Sequence, residues 1–394
     1  MLTVDQALEQ ILQQVQPLTS VESVPISTAL NRVLAADQIS TIHVPPTDNS
    51  AMDGYAINTH DLVASQTLPV SQIIPAGQPP QPLEPGTAAR IFTGASIPPG
   101  ADAVVMQEDC EAQGQQVTLP ATVNPGNNIR PMGQDISAGD TILPAGQWLR
   151  PQDLAVMAAA GMAEVPVYRQ PTVAILSTGD ELAQPGQPLQ PGQIYNSNRY
   201  LLLGFLQQLP VTVIDLGQIP DSLTATTEHL QQAANKADCI ISTGGVSVGD
   251  EDHIKPAVEQ LGHLALWRLA LKPGKPLAFG QVAGVPFFGL PGNPVSVFIT
   301  FTLFVRPFLL AQQGVSYELP LITATANFSL PANPKRQEYL RVTLDGDQIN
   351  RLSNQSSGVM MSLVTAQGLA IIPLNTPVTP GQTLKVIPLH RSFC

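Results

Sequence analysis

Cys239-Ile-Ile-Ser-Thr-Gly-Gly-Val-Ser-Val-Gly-Asp-Glu-Asp252 is the stretch around which the chain is organised. An apolar run ends in small residues and two adjacent glycines. A third glycine and three consecutive acids then precede a helical pattern. This is the pattern of a strand feeding an anion-holding loop. Glycines let backbone N–H groups turn inward on an oxyanion, and Asp250, Glu251 and Asp252 would repel that anion unless a hard cation lay between them. The combination points to a phosphate ester handled with magnesium. A tight turn followed by a solvated acidic helix start accounts for the same residues, and the stretch alone does not choose between the two.

The 394 residues are enough for two to four domains at ~150 residues each. Cys110, Cys239 and Cys394 are widely spaced and form no C-x-x-C pair, so neither a disulfide framework nor a zinc site is indicated. A reducing compartment fits. The N-terminal Met-Leu-Thr-Val-Asp lacks a basic n-region, and the longest apolar helical stretch, 295–310, is interrupted by Arg306 and Pro307, so a soluble cytoplasmic protein is expected. Charged residues make up 12% of the chain, 18 basic against 30 acidic, for a formal net charge of −12. Such a field disfavours nucleic acid and membrane surfaces as partners, so an anionic ligand must be held where positive groups are locally concentrated. The 38 prolines are spread through apolar sequence, which indicates many ordered turns.

Thr3 with Gln6 makes a capping box, and Val4, Ala7, Leu8, Ile11, Leu12 and Val15 recur at helical spacing until Pro17. A short helix is expected over 30–37, and another from Pro151 to just before Gly161. Between them, residues 41–137 change to short alternating or β-branched runs broken by Pro-Pro, Pro-Gly and Asn-Pro-Gly. That is the grammar of a small β domain inserted into a helical domain made of 1–40 and 138–169. The insert carries polar islands at 48–56, 90–95 and 133–136, each of which an Asx turn at a strand end explains by itself.

Over 170–316 the rhythm becomes strand, loop, helix. Strands are expected at 173–176, 211–216, 239–242, 264–271, 276–282 and 285–290, and helices at 198–209, 222–237 and from Val295. Such alternation builds a doubly wound α/β sheet whose ligands lie beyond the carboxyl ends of the strands. Two of those ends look alike, Ser177-Thr178-Gly179-Asp180-Glu181 and Ser242-Thr243-Gly244-Gly245, and we read them as two lips of one cleft. Asp221 precedes an N-cap serine at a third strand end. In Leu-Pro291-Gly292-Asn293-Pro294, Asn293 is placed as N-cap and Pro294 as the first helical residue, which would present N–H groups to an anion, although capping alone explains the pattern. Arg268, Lys272 and Lys275 complete the set, falling within eight positions in a chain poor in positive charge, although a solvated edge strand also favours lysine. Beyond 317, runs at 321–326, 339–344, 369–372 and 384–388 read as a small C-terminal β sandwich or barrel. There Arg341 and the 354–358 loop have no role legible from the residues alone.

Taken together, six motifs in order resemble those of the molybdopterin molybdenumtransferase family of the MoeA type, which includes gephyrin-like E domains. They are Asp-Asn-Ser-Ala-Met-Asp-Gly-Tyr-Ala, Phe-Thr-Gly-Ala, Ser-Thr-Gly-Asp-Glu-Leu, Ser-Thr-Gly-Gly-Val-Ser-Val-Gly-x-x-Asp, Lys-Pro-Gly-Lys-Pro and Leu-Pro-Gly-Asn-Pro-Val-Ser. The resemblance implies a multidomain protein: a split helical domain (1–40 and 138–169), an inserted β domain (41–137), a pterin-binding α/β domain (170–316) and a C-terminal β barrel (317–394). It implies an L-shaped protomer in a homodimer, with Asp53, Thr93 and Asp135 completing the partner's cleft. The implied reaction inserts molybdate into adenylylated molybdopterin and releases AMP, with Mg2+ required.

On this resemblance Thr178, Gly179, Asp180, Thr243, Gly244, Gly245, Ser247, Pro291, Gly292, Asn293 and Pro294 would bind the pterin substrate. Glu181, Asp221 and Asp252 are the candidate metal ligands and, with Arg268 and Lys272, the catalytic set. Arg268 would take phosphate charge, and Lys272, Lys275, Arg341 and Ser357 would hold molybdate. Of the three acids after Gly249 the resemblance singles out Asp252, leaving Asp250 and Glu251 as helix-start charges. Two rival functions share these features: a molybdopterin adenylyltransferase, which needs only the α/β domain, and a non-enzymatic dimeric scaffold or cofactor carrier. A molybdopterin adenylyltransferase is also the protein partner to test besides a second copy of the chain.

Overall fold

A computed structural model of the chain describes residues 1–244, 253–315 and 317–389. Gly245, Ser247 and Asp252 therefore lie outside the described residues. The chain forms two compact units, one of Met1–Glu22, Asn31–Val33 and Val167–Cys394, the other of Ser23–Leu30 and Leu34–Pro166.

In the second unit, short strands build a six-stranded sheet in the order 103–106, 54–57, 88–91, 67–74, 116–118, 111–113. Alternation along Gly54–Ile57 sends Tyr55 and Ile57 into one core with Leu68, Val105 and Val117. Ala56 goes to the opposite face with Ile74, Ile91 and Val104. Both faces are thus buried, which explains the weak apolar/polar alternation of these runs. Pro151–Ala159 is helical, its first turn closed by the Asp153 carboxylate accepting from the Arg150 backbone N–H at 2.8 Å. Residues 30–37 do not form the expected helix. One 3-10 turn occupies Ile26–Thr28, Asn31 takes φ +62°, and Leu34 is extended, bonding Gln147 and Gly146 through its N–H and C=O. The backbone groups of Leu34 find partners across 112 or more positions, a pairing that local helical spacing cannot reveal.

In the first unit, a six-stranded sheet runs in the order 212–219, 172–178, 239–243, 285–290, 276–282, 262–268. The first four strands are parallel, and the last two are antiparallel to their neighbours. That edge follows from the Ala283-Gly284 connection: φ values of +48° and +83° make a tight hairpin turn between Pro276–Val282 and Val285–Leu290. Helices Leu223–Ala234 and Ile254–Leu261 cover one face, burying Leu230, Ala233, Ile254 and Val258 against Ala174, Leu176, Ile240 and Phe287. Helices Ser197–Leu206 and Pro294–Ala311 cover the other, where the Phe205 and Phe301 rings stack at 4.5 Å and Phe288 meets Phe308 edge-on at 5.2 Å. Phe287 and Phe288 pointing to opposite faces is the two-residue period of a strand buried on both sides. Each full burial of such a ring contributes about 1.5–3 kcal/mol.

Pro294–Ala311 is long and apolar enough by composition to cross a membrane, yet 83% of it is buried within the protein, as a core helix is. Its chain stays helical past Arg306 and Pro307 by widening into a π turn over Phe301–Val305, which accommodates the proline's missing N–H. The capping box at Thr3 and Gln6 starts helix Val4–Leu12, which packs on the end of this helix.

The C-terminal strands Ile322–Ala326, Gln337–Asp345, Gln348–Arg351, Gly368–Ile372 and Thr383–Pro388 close into a barrel, because 337–345 pairs with both 348–351 and 368–372. Leu340, Val342, Ile349, Ala370 and Val386 fill it. Two residues of the α/β region, Leu271 and Lys272, add to the barrel in parallel register with Gln337 and Glu338.

Candidate functional site

From 172–178 the chain winds to 212–219 on one side, then returns to 239–243 on the other. The order of strands therefore reverses between 172–178 and 239–243, and the crevice beyond their carboxyl ends is where an open α/β sheet holds ligands. The two Ser-Thr-Gly ends are neighbours there: Ser177 is in register with Thr243, and their hydroxyls are 3.2 Å apart. Two glycines let the loops close up. Gly244 has φ +83°, and a Cβ on it would lie 2.8 Å from the Thr178 carbonyl oxygen. A Cβ on Gly179, at φ +132°, would lie 2.3 Å from Glu181 Oε2. Gln218 donates from Nε2 to the Gly179 carbonyl at 2.8 Å, fixing the loop that carries Glu181.

A cleft of about 680 Å³ opens over these ends. Glu181 and Gly244 form one wall and Pro291, Gly292, Asn293 and Ser296 a second. The 272–276 loop forms a third, and Arg336 with Gln355, Ser356 and Ser357 of the barrel a fourth. Among the described residues lining it, Lys272, Lys275 and Arg336 are cationic and Glu181 alone is acidic. In a chain of net charge −12, this local excess of positive charge selects an anion. Asn293 stands at the N-cap position of the helix that starts at Pro294 without a side-chain capping bond, and the Ser357 carbonyl takes up the Val295 N–H at 3.1 Å, tying the barrel loop to the helix start. Asn198 Nδ2 donates to the Gly292 carbonyl at 2.6 Å.

The remaining sequence candidates fall as follows. Thr178 and Thr243 are buried, at 7% and 2% exposure, and Asp180 is exposed beside Gly179. Asp221 lies at the carboxyl end of the edge strand Thr212–Ile219, just ahead of Ser222, whose Oγ accepts from the Ala225 N–H. Arg268 is exposed at the end of the opposite edge strand, 262–268, in register with Pro276, which lines the cleft. Arg341 is 1% exposed and is not among the groups lining the cleft. Its Nε donates to Ser362 Oγ at 3.1 Å and its Nη2 to the Ser356 carbonyl at 3.0 Å, so it grips the 354–357 loop from inside the barrel. Burial lowers its pKa, and the guanidinium's hydrogen-bond partners, the Ser362 hydroxyl and the Asn354 and Ser356 carbonyls, are all neutral.

Two cleft features were not legible in the sequence. Arg336 lines the cleft, and Glu338, 6% exposed, holds the Lys272 ammonium at 3.1 Å. The adjacent Lys335-Arg336 pair, in a chain poor in positive charge, is the one signal that would have drawn attention to this strand.

In the second unit, the structure brings Asp53 and Thr93 together. Asp53 Oδ1 accepts from the Thr93 N–H at 2.7 Å and hydroxyl at 2.8 Å, and these two bonds, the backbone one foremost, lower its pKa. Arg90, donating to the Gly54 carbonyl at 3.0 Å, lies over the rings of Tyr55 and Phe92 and adds positive charge near Asp53. Asp135 is on a separate loop anchored by its own N–H to the Val44 carbonyl. Among the described residues no three His, Cys, Asp or Glu side chains are gathered as a metal site.

Fold and cleft together define a multidomain α/β protein with a cation-lined cleft at the switch point of its sheet. Residues 2–161 match the family described as "MoeA N-terminal region (domain I and II)", 174–311 "Probable molybdopterin binding domain" and 323–389 "MoeA C-terminal region (domain IV)". The chain is 39% identical over 401 residues to a molybdopterin molybdenumtransferase of Haemophilus influenzae, covering 99% of each chain. It is 38% identical to another of that name from Nostoc sp., covering 93% of this chain and 88% of that one. A solved molybdopterin biosynthesis MoeA protein from Pyrococcus horikoshii superposes with TM-score 0.84 at 30% identity, covering 98% and 99% of the two chains. The chain belongs to the MoeA family.

Proposed function

We propose that the chain is an enzyme of molybdenum cofactor biosynthesis, a molybdenumtransferase that inserts molybdenum into molybdopterin. The observation that carries this reading is the cleft at the switch point, where two Ser-Thr-Gly ends face three cations in a strongly acidic protein. The finer reading takes adenylylated molybdopterin and molybdate as substrates and AMP as a product. Thr178, Gly179, Asp180, Thr243, Gly244, Gly245, Ser247 and the 291–294 loop bind pterin and phosphate, and Arg268 takes phosphate charge. Lys272, Lys275 and Ser357 supply donors to molybdate, whose tetrahedral oxygens suit several converging N–H and O–H groups. Arg341 joins this set as a donor or through the loop it holds.

The oxygen donors at this end of the sheet are of the kind a magnesium ion takes. The Glu181 carboxylate lines the cleft without a partner among the described residues, Asp221 stands at a neighbouring strand end, and hard cations take such oxygen ligands. Glu181 and Asp221, with Asp252, would hold it. When bound, the ion supplies charge neutralisation between these carboxylates and the substrate's phosphates. The protein's own part is to orient the two phosphates at the glycine loops, keep the anion against the lysines and limit water around them.

We further propose a cytoplasmic homodimer in which Asp53, Thr93 and Asp135 complete the partner's cleft, with 1–40 and 138–169, 41–137, 170–316 and 317–394 as working domains. An adenylyltransferase that hands over the adenylylated pterin is the candidate protein partner. The direct experiment supplies adenylylated molybdopterin, Mg2+ and molybdate and follows AMP. AMP release no faster with molybdate than without it, and no molybdenum retained on the pterin, would end this reading. Adenylylation of molybdopterin from Mg-ATP without molybdate would instead make the chain an adenylyltransferase, and full function of D221A in cells lacking the native gene would favour a scaffold.

A further inference from the structure

Lysine carries a single mobile charge on a stem with four rotatable bonds, and ordering it is entropically unfavourable. In the cleft, Lys272 is held. Its Nζ lies 3.1 and 3.2 Å from the two oxygens of Glu338. Glu338 is 6% exposed, and a carboxylate so buried is stable only when paired and hydrogen-bonded. Its second partner is Asn333, whose Nδ2 donates to Glu338 Oε1 at 2.6 Å. Asn333 is fixed in turn: its Oδ1 accepts from the Lys335 and Arg336 N–H groups at 3.1 and 3.2 Å, and its carbonyl from the Asn375 N–H at 2.8 Å. The parallel register of Leu271 with Gln337 and Lys272 with Glu338 makes this alignment part of the fold. An ammonium has three donors. Glu338 occupies two, and because the Lys272 side chain is 46% exposed, the third remains for the cleft.

We propose that Glu338 and Asn333 are positioning residues: Glu338 fixes the Lys272 ammonium for an incoming oxyanion, and Asn333 sets both Glu338 and the backbone of Arg336. The inference rests on the reading of Lys272 as a molybdate-binding group. Removing the Glu338 charge frees Lys272 to swing into water, so the anion meets a disordered cation. The alternative, in which Glu338 merely competes with the anion for Lys272, predicts the opposite sign.

The test measures AMP release against molybdate concentration for the wild type, E338Q, N333A, K272A and the E338Q/K272A double variant. E338Q should raise the molybdate KM roughly tenfold while kcat changes much less, and N333A should shift it the same way by a smaller factor. The double variant should be no worse than K272A, because Glu338 acts through Lys272. An E338Q KM that is unchanged or lower, or additive losses in the double variant, would overturn the proposal. If E338Q does not fold, judged by its melting curve, N333A decides, and an unaltered KM there overturns it equally. A normal KM in K272A sinks the molybdate reading of Lys272 itself, whereas impaired K272A beside normal E338Q sinks only the positioning role.

Discussion

A methyl group at Gly244 would stand 2.8 Å from the Thr178 carbonyl, on a backbone already at φ +83°. Gly244→Ala should therefore cost about 1–3 kcal/mol and part the two strand ends, read as a lower Tm and a loss of AMP release larger than the stability change accounts for. Asp238 is the second informative residue. Burial alone would raise its pKa, but the two-pronged contact with Arg169 at 2.9 Å and the Thr172 N–H at 2.7 Å outweigh that and hold it below the ordinary carboxylate value. A group depressed on folding stabilises the protein above its unfolded pKa, and that contribution disappears as pH falls through the folded value. Asp238→Asn should lose about 1–2 kcal/mol at neutral pH, the low end for charged hydrogen bonds because Arg169 is 40% exposed. Chemical denaturation from pH 7 down to about 2 should show a flatter acid limb in the variant. Parallel limbs would assign the acid sensitivity to other carboxylates.

At the scale of elements, the 354–357 loop is the part of the cleft most dependent on one buried side chain. Gln355 exchanges hydrogen bonds with the Arg341 backbone at 3.0 and 2.8 Å, while the guanidinium reaches Ser362 and the Ser356 carbonyl. Lysine cannot reproduce that fork. Arg341→Lys is expected to lower stability by about 2 kcal/mol and to raise the molybdate KM. A variant with normal stability but raised KM would instead place the guanidinium directly on the anion.

Sequence periodicity located the elements of this region well. Strands expected at 276–282 and 285–290 are Pro276–Val282 and Val285–Leu290, and the capping box begins a helix. The misread element, 30–37, is one whose backbone partners lie more than a hundred positions away. Local spacing reports only local bonds.

At the scale of the molecule, Asp53 and Thr93 belong to one compact unit and the cleft to the other. The proposed homodimer makes a specific demand: Asp53→Ala and Lys272→Ala, each expected to keep only a small measurable part of the activity, should restore one another when co-expressed. Random pairing puts half the molecules in mixed dimers with one intact cleft each, so about a quarter of wild-type AMP release should return. No recovery would mean that each cleft is completed by its own chain, or that Asp53 is not part of it.

The order of motifs, the doubly wound rhythm and the barrel runs were determined by the sequence itself, because period-two and period-3.6 burial and glycine-bearing strand ends are local properties. The same holds for the pairing of Ser-Thr-Gly ends, since parallel strands of one sheet present their carboxyl ends together. Only the tertiary structure decided that Glu338 lies against Lys272, 66 positions earlier, and that Arg336 joins the cleft. It also turned Arg341 inward to hold a loop. These follow from the register of one barrel strand against two residues of the α/β region, a long-range alignment for which no local pattern of residues is required.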